Sequence, residues 1–323
     1  MIIWLKTYPE PTVTLRTYED YEEKNRLYIT PLLGHIPLQS LTSTDIQQAI
    51  TALARRGLSR RTVQYALVVL RMALKKAVED PHRLIHSNPA TSSIKIPTWC
   101  KVSEPKIALT MEEVNVLLIA LADDPLTSIA VRVLVGTGVR AGELLPMRWA
   151  NVDLVRESIF VREAQTRTKA EGLQLKSTKN TYSLREIPMY PGLANDLRAW
   201  RKIQLEWKMF MGSDWVGDTS RVFTMPDGQA VREEFFGHQI HRALAGTGIY
   251  CTPLILRKTF VSLLMENHCD LKTLQELCGH STPRMILEKY ANSNLKTKRR
   301  AVEVFVFDLD QQDQEQKLIR GFD

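Results

Sequence analysis

Residues 86–106, HSNPATSSIKIPTWCKVSEPK, are rich in Ser, Thr and Pro and carry no apolar period. That is the pattern of a connection between folded parts. Apolar patterns of helical spacing lie on both sides of it. A chain of 323 residues divided here has enough on each side for a separate core, so two domains are predicted. We place the first at 1–90, a linker at 91–106, the second at 107–300 and a tail at 301–323.

The first hundred residues read as all helix. TVTLRTYEDYEEKNRLYI runs to an expected stop at Pro31, and LGHIPL follows as a Gly/Pro loop. TSTDIQQAITALARRG has Thr42 or Ser43 placed as N-cap and Gly57 past the end. Ser59 opens a long helix in which Val63, Leu67, Leu70, Leu74 and Val78 fall three or four apart, so one face must be buried. Arg60, Arg61, Arg71, Lys75 and Lys76 lie between them with no acid in residues 59–76. This basic helix is a candidate nucleic-acid surface, against the plainer reading of a solvated face. The net charge of +7 points the same way, toward an anionic partner.

Beyond the linker, Thr110 and Glu113 form an expected capping box, and LTSIAVRVLVGTG is a helix ending at Gly136 and Gly138. Residues 151–190 change period: SIFVRE, LQLKST and SLREIPMY look like three short strands. Helical patterns resume at about 192–207 and 231–290. After them come basic KTKRR, apolar AVEVFVF and an acidic, Gln-rich end. No apolar run reaches a membrane span and MIIWLKTYPE is not laid out as a signal peptide, so a cytoplasmic location is expected. Four scattered cysteines suit reduced thiols. His268, Cys269, Cys278 and His280 have no CxxC or HxxxH unit among them, and no metal is assigned.

Three stretches carry candidate chemistry. GTGVRAGELLPMRW puts Arg140 after a glycine turn with Glu143 one helical turn on, able to hold the guanidinium. CTPLILRKTF sets Arg257 and Lys258 inside an apolar frame, where a helix start with snorkelling cations is the plain alternative. LCGHSTPRMILEKYANS places Tyr290 ten residues beyond His280.

In that order these stretches resemble the tyrosine recombinase, or phage integrase, family. GTGVRAGELLPMRWANVDL is similar to its first arginine box, TPLILRKTF to its second and CGHSTPRMILEKY to its His-to-Tyr segment. TKNTYSLREIPM is similar to its β-hairpin, and residues 33–98 resemble its helical core-binding domain. The resemblance implies a mainly α chain with a small antiparallel β-sheet: a helical SAM-like core-binding domain joined to an α+β catalytic domain. It also implies a site-specific recombinase of phages and other mobile elements that integrates DNA at attachment sites as a homotetramer. An accessory directionality protein fits the same reading, in a bacterial or phage-infected cell.

By the same resemblance Tyr290 forms a 3′-phosphotyrosyl bond, and Arg140 and Arg257 clamp the phosphate. Lys179 protonates the leaving 5′-oxygen, with Lys176 as its competitor, and His280 contacts the phosphate or assists Tyr290. The bond energy stays in the covalent link, so neither ATP nor a metal is required; the arginines bring the charge a divalent ion would otherwise supply. Two departures stand out. Leu254 occupies the place where the family has His or Lys, which opens an alternative: a weakened or inactive DNA-binding regulator. Only about ten residues precede the first predicted helix, so either the protein works without an arm-site domain or the chain is truncated.

Overall fold

The computed structural model describes residues 1–79, 83–102, 107–177 and 184–279. Two compact units emerge, residues 1–106 with 166–174, and residues 107–165 with 175–323.

The first unit is helical apart from residues 166–174, which are strand and turn. Short α1 (Ile2–Thr7) and α2 (Pro9–Thr12) lead into α3 (Leu15–Lys24), and α4 (Thr30–Leu33) follows. The expected stop at Pro31 does not occur. Residues Asn25–Ile29 widen into a π-helical segment, and the Thr30 N–H donates to the Asn25 carbonyl five residues back. Proline has no N–H and its ring crowds the carbonyl four residues before it; the π-turn takes up that misfit, so the helix continues to Leu33. Next come α5 (Ser43–Arg55), capped by a Thr42–Asp45 box, and α6 (Arg60–Glu79). Val63, Leu67, Leu70 and Leu74 of α6 are buried against Trp4, Ile29, Ile46 and Ile50. Each such side chain contributes roughly 2 kcal/mol relative to exposure.

The segment expected as a linker belongs to this unit for most of its length. Ile94 and Cys100, with Ala90 just before them, are in its core. The Gln47 amide donates to the Lys95 carbonyl and accepts from the Lys95 N–H, both at 2.9 Å. The segment lacks periodicity because isolated turns and side-chain contacts, not a ladder of its own, satisfy its backbone.

The second unit opens with α7 (Met111–Ala120), capped by the Thr110–Glu113 box, and α8 (Pro125–Thr137). Helix α8 ends at Gly138, whose φ of 64° is left-handed. A four-residue α9 (Ala141–Leu144) follows. The 151–190 region holds five strands where three were expected: β1 (Val152–Asp153), β2 (Ser158–Val161), β3 (Glu163–Thr168), β4 (Gly172–Ser177) and β5 (Arg185–Pro188). Strands β1, β2 and β5 form one antiparallel sheet in that order, pairing Ile159 with Ile187 and Val161 with Arg185. Strands β3 and β4 form a separate two-stranded pair. EAQTRT in β3 has no apolar alternation to reveal it.

Helix α10 (Leu193–Met211) lays Leu193, Leu197 and Trp200 into the core, and α11 (Phe235–Ala243) adds Phe236 and Ile240. Helix α12 (Pro253–Glu266) starts at Thr252, whose hydroxyl accepts from the Ile255 N–H, with Pro253 at the first turn. Helix α13 (Leu271–Cys278) starts at Asp270 and ends at Gly279, φ 59°. Among the described residues no helix is long and apolar enough to cross a membrane.

Candidate active site

The site grows from the end of α8. Gly138 carries no Cβ, and one added there would strike the ring of Phe260 on α12. That close approach brings the Gly138 carbonyl within reach of Arg257, whose Nη1 donates to it. Arg257 does not snorkel: it is 6% exposed, among buried Ile255, Leu256, Phe260 and Val261. Burial brings its pKa down, helped by the nearby Arg140 charge, to about 10, so it stays cationic at neutral pH. Leu254, by contrast, is half exposed.

Arg140 stands at the start of α9 in extended backbone. Its N–H donates to Glu143 Oε2 at 2.9 Å and its Nη1 to Glu143 Oε1 at 2.7 Å. A second arginine, Arg185 of β5, takes the other side of that carboxylate: Nη2 to Oε2 at 2.8 Å and Nη1 to Oε1 at 3.3 Å. Side-chain exposure is 4% for Glu143, 6% for Arg185 and 40% for Arg140. Burial alone would raise the Glu143 pKa. The Arg185 hydrogen bond and charge, then the Arg140 backbone N–H and charge, overcome it and bring the value to about 2.

Helix α13 ends against the same cluster. The Leu277 carbonyl accepts from Arg185 Nε at 2.8 Å, the Cys278 carbonyl from Arg257 Nη2 at 2.6 Å, and the Gly279 carbonyl from Arg140 Nη2 at 3.1 Å. A helix leaves its last carbonyls without intrahelical partners, and cations suit that negative end. Three consecutive carbonyls are thus held by three arginines from three other elements.

Arg140, Arg257 and Glu143 are therefore brought together. Tyr290, His280 and Lys179 lie outside the described residues, as does the side chain of Lys176. Arg185 was missed by sequence reasoning, although its signal was there: in a strand it shares a face with Ile187, which is 1% exposed. An arginine on a core face needs buried partners for its charge and its N–H groups.

The five basic residues of α6 divide. Arg61 and Lys75 are on its exposed face with Gln64, Val68 and Met72. Arg71 turns inward, Nε to the Ala90 carbonyl at 3.0 Å and Nη2 to the Thr91 carbonyl at 2.7 Å. Arg60 Nη1 donates to the Pro97 carbonyl at 3.2 Å. Lys75 and Lys76 both approach Glu79, and Lys76 also sits 5.2 Å from the centre of the Tyr8 ring. Among the described residues no cluster of three His, Cys, Asp or Glu could hold a metal ion.

Fixed guanidiniums with forked donors match the oxygens of a phosphate. With Arg61 and Lys75 exposed on the first unit, they suit a protein that works on the nucleic-acid backbone. Comparison with known proteins makes this specific. Residues 108–297 match the phage integrase family and residues 1–54 its N-terminal SAM-like domain. A tyrosine recombinase XerC-like protein of Caldanaerobacter subterraneus subsp. tengcongensis is 28% identical over 305 residues, covering 89% of this chain and 76% of the relative. In fold, the chain is similar to the Tn1549 transposon integrase in complex with a circular intermediate DNA: TM-score 0.77, 22% identity, 94% of this chain and 98% of that one. It is also similar to lambda integrase in a tetramer bound to a Holliday junction: TM-score 0.64, 17% identity, 88% of this chain and 74% of that one. The chain belongs to the phage integrase family: it is a site-specific recombinase of the tyrosine type.

Proposed function

We propose that the chain cuts and rejoins DNA through Tyr290. The phenolic oxygen attacks the scissile phosphorus, a 3′-phosphotyrosyl bond forms, and the bond to the 5′-oxygen breaks. Lys179 gives that oxygen its proton, and His280 hydrogen-bonds the phosphate or assists the phenol. A phenol of pKa ~10 is a poor nucleophile at neutral pH, so the transition state needs stabilising at the phosphate. Arg140 and Arg257 supply it, clamping the non-bridging oxygens where charge grows. A 5′-hydroxyl from the partner strand then attacks the phosphotyrosine and frees Tyr290.

One observation carries this reading: Arg140 and Arg257, 117 residues apart in the chain, both hold the end of α13, one peptide bond before His280 and eleven residues before Tyr290. The partner is double-stranded DNA carrying attachment sites, bound by a homotetramer spanning two duplexes. An accessory directionality protein belongs to the same reading. The exposed face of α6 at Arg61 and Lys75 meets backbone phosphates, while Arg60, Arg71 and Lys76 brace that face. The apolar AVEVFVF run of residues 301–323 needs a covering surface and docks on a neighbouring protomer, with packing in cis as the alternative.

The test uses nicked duplexes of randomised core sequence, which trap the covalent intermediate because the fragment bearing the 5′-hydroxyl diffuses away. The expected result is a protein–DNA adduct, enriched for one core site and lost in Tyr290→Phe. Binding without any adduct would overturn the reading in favour of a DNA-binding regulator.

A further inference from the structure

We propose that Arg185 is a positioning residue for strand cleavage, fixing both the Arg140 guanidinium and the end of α13 through contacts that never reach DNA. The proposal rests on the reading above, in which Tyr290 attacks a phosphate held by Arg140 and Arg257.

The case begins with an asymmetry between two arginines on one carboxylate. Arg140 is 40% exposed and Arg185 6%. A long, exposed guanidinium keeps much of its rotamer freedom unless something rigid holds it. For Arg140 the holders are Glu143, which takes its N–H and its Nη1, and the Gly279 carbonyl, which takes its Nη2. A carboxylate at 4% exposure stays ionised only if it is paired and hydrogen-bonded, and Arg185 supplies that pairing at both oxygens. Remove it, and burial pushes Glu143 toward its neutral form, which no longer anchors Arg140.

The second contact gives the residue its reach. Nε of the same guanidinium holds the Leu277 carbonyl, next in line to the carbonyls that Arg257 and Arg140 take. Strand β5 therefore registers α9, bearing one arm of the phosphate clamp, against the helix end from which the chain runs on toward His280 and Tyr290. A lysine could not substitute, because a point charge cannot span two carboxylate oxygens and a carbonyl at once.

The experiment compares full-length wild type, Arg185→Lys and Arg185→Ala on the nicked duplex selected above. It measures binding by fluorescence anisotropy and the single-turnover rate of adduct formation from pH 5 to 9. Binding is expected to hold in both variants while the cleavage rate falls roughly 10²-fold, the scale of a misplacement of about 1 Å. Arg185→Ala should also gain an acid limb that wild type lacks: as pH falls, Glu143 takes up a proton and the rate drops. A merely structural role would not produce that limb. If Arg185→Ala does not fold, Arg185→Lys, which keeps the charge, decides by itself. Variants that cleave as fast as wild type with the same pH profile, or that lose binding and cleavage in equal measure, overturn the proposal. Wild type that forms no adduct overturns the strand-cleavage reading, and this role with it.

Discussion

Replacing Glu143 with glutamine keeps the shape and removes one buried negative charge. The carboxylate faces Arg185 on one side and Arg140 on the other; the amide can accept from one of them but must point its NH2 at the other. Its energy follows from the pKa, which falls from an ordinary 4.5 to about 2 in the folded protein. At 1.36 kcal/mol per unit, the ionised form is favoured by about 3 kcal/mol on folding. Because the folded pKa lies below the unfolded one, the native state binds the proton less tightly. The contribution is complete above about pH 4.5 and is lost as pH falls through 2. The gap between wild type and Glu143→Gln should therefore be about 3 kcal/mol at pH 7 and shrink to about 1 kcal/mol at pH 3. Urea unfolding followed by circular dichroism at several pH values measures it. Subtracting the variant cancels the other carboxylates, which titrate in both proteins. A negligible gap at pH 7, or one constant down to pH 3, would refute the view that Glu143 is an ionised counter-charge for two arginines.

Two further outcomes follow from α8 and α12. Gly138→Ala puts a Cβ on a left-handed residue against the Phe260 ring, costing roughly 2–3 kcal/mol in backbone strain and displaced packing; because the Gly138 carbonyl holds Arg257, adduct formation should fall as well. Thermal melting and single-turnover cleavage test this, and a variant as stable and as active as wild type would contradict it. Leu254→His restores a proton-carrying side chain at a half-exposed position three residues before Arg257, hence on the same helix face. Cleavage on the nicked duplex should rise or stay level, and a large fall would mean the leucine has been built into the site.

How far the sequence led depended on whether a feature leaves a local trace. The N-cap at Thr42 and the capping box at Thr110 do, because a cap and its partner lie within three residues and their chemistry is self-contained. So does the buried stripe of α6. The π-segment at Asn25–Ile29 left no pattern in its own residues; it is a response to Pro31 being kept inside a helix whose packing outweighs the proline's preference to end it. The 86–106 stretch shows the opposite failure. Polar composition implied a free connection, yet Ala90, Ile94 and Cys100 are core residues spaced too irregularly for any helix or strand period to reveal.

The candidate site divides along the same line. Arg140 and Glu143 are near neighbours in sequence, so their pairing could be read directly. Arg257 could be read as an oddity, a cation in an apolar run. Its desolvation is offset by carbonyls from the ends of α8 and α13, 119 and 21 residues away, which no local pattern encodes. Arg185 is the furthest case: its acid lies 42 residues earlier and its carbonyl 92 residues later. What the strand did carry was a charge on the same face as Ile187. A charge on a core face is a demand for a partner, and only the fold could say that Glu143 meets it. The three arginines that answer to α13 therefore form one unit energetically: each guanidinium holds a carbonyl the helix cannot satisfy, and one buried carboxylate keeps two of them in place.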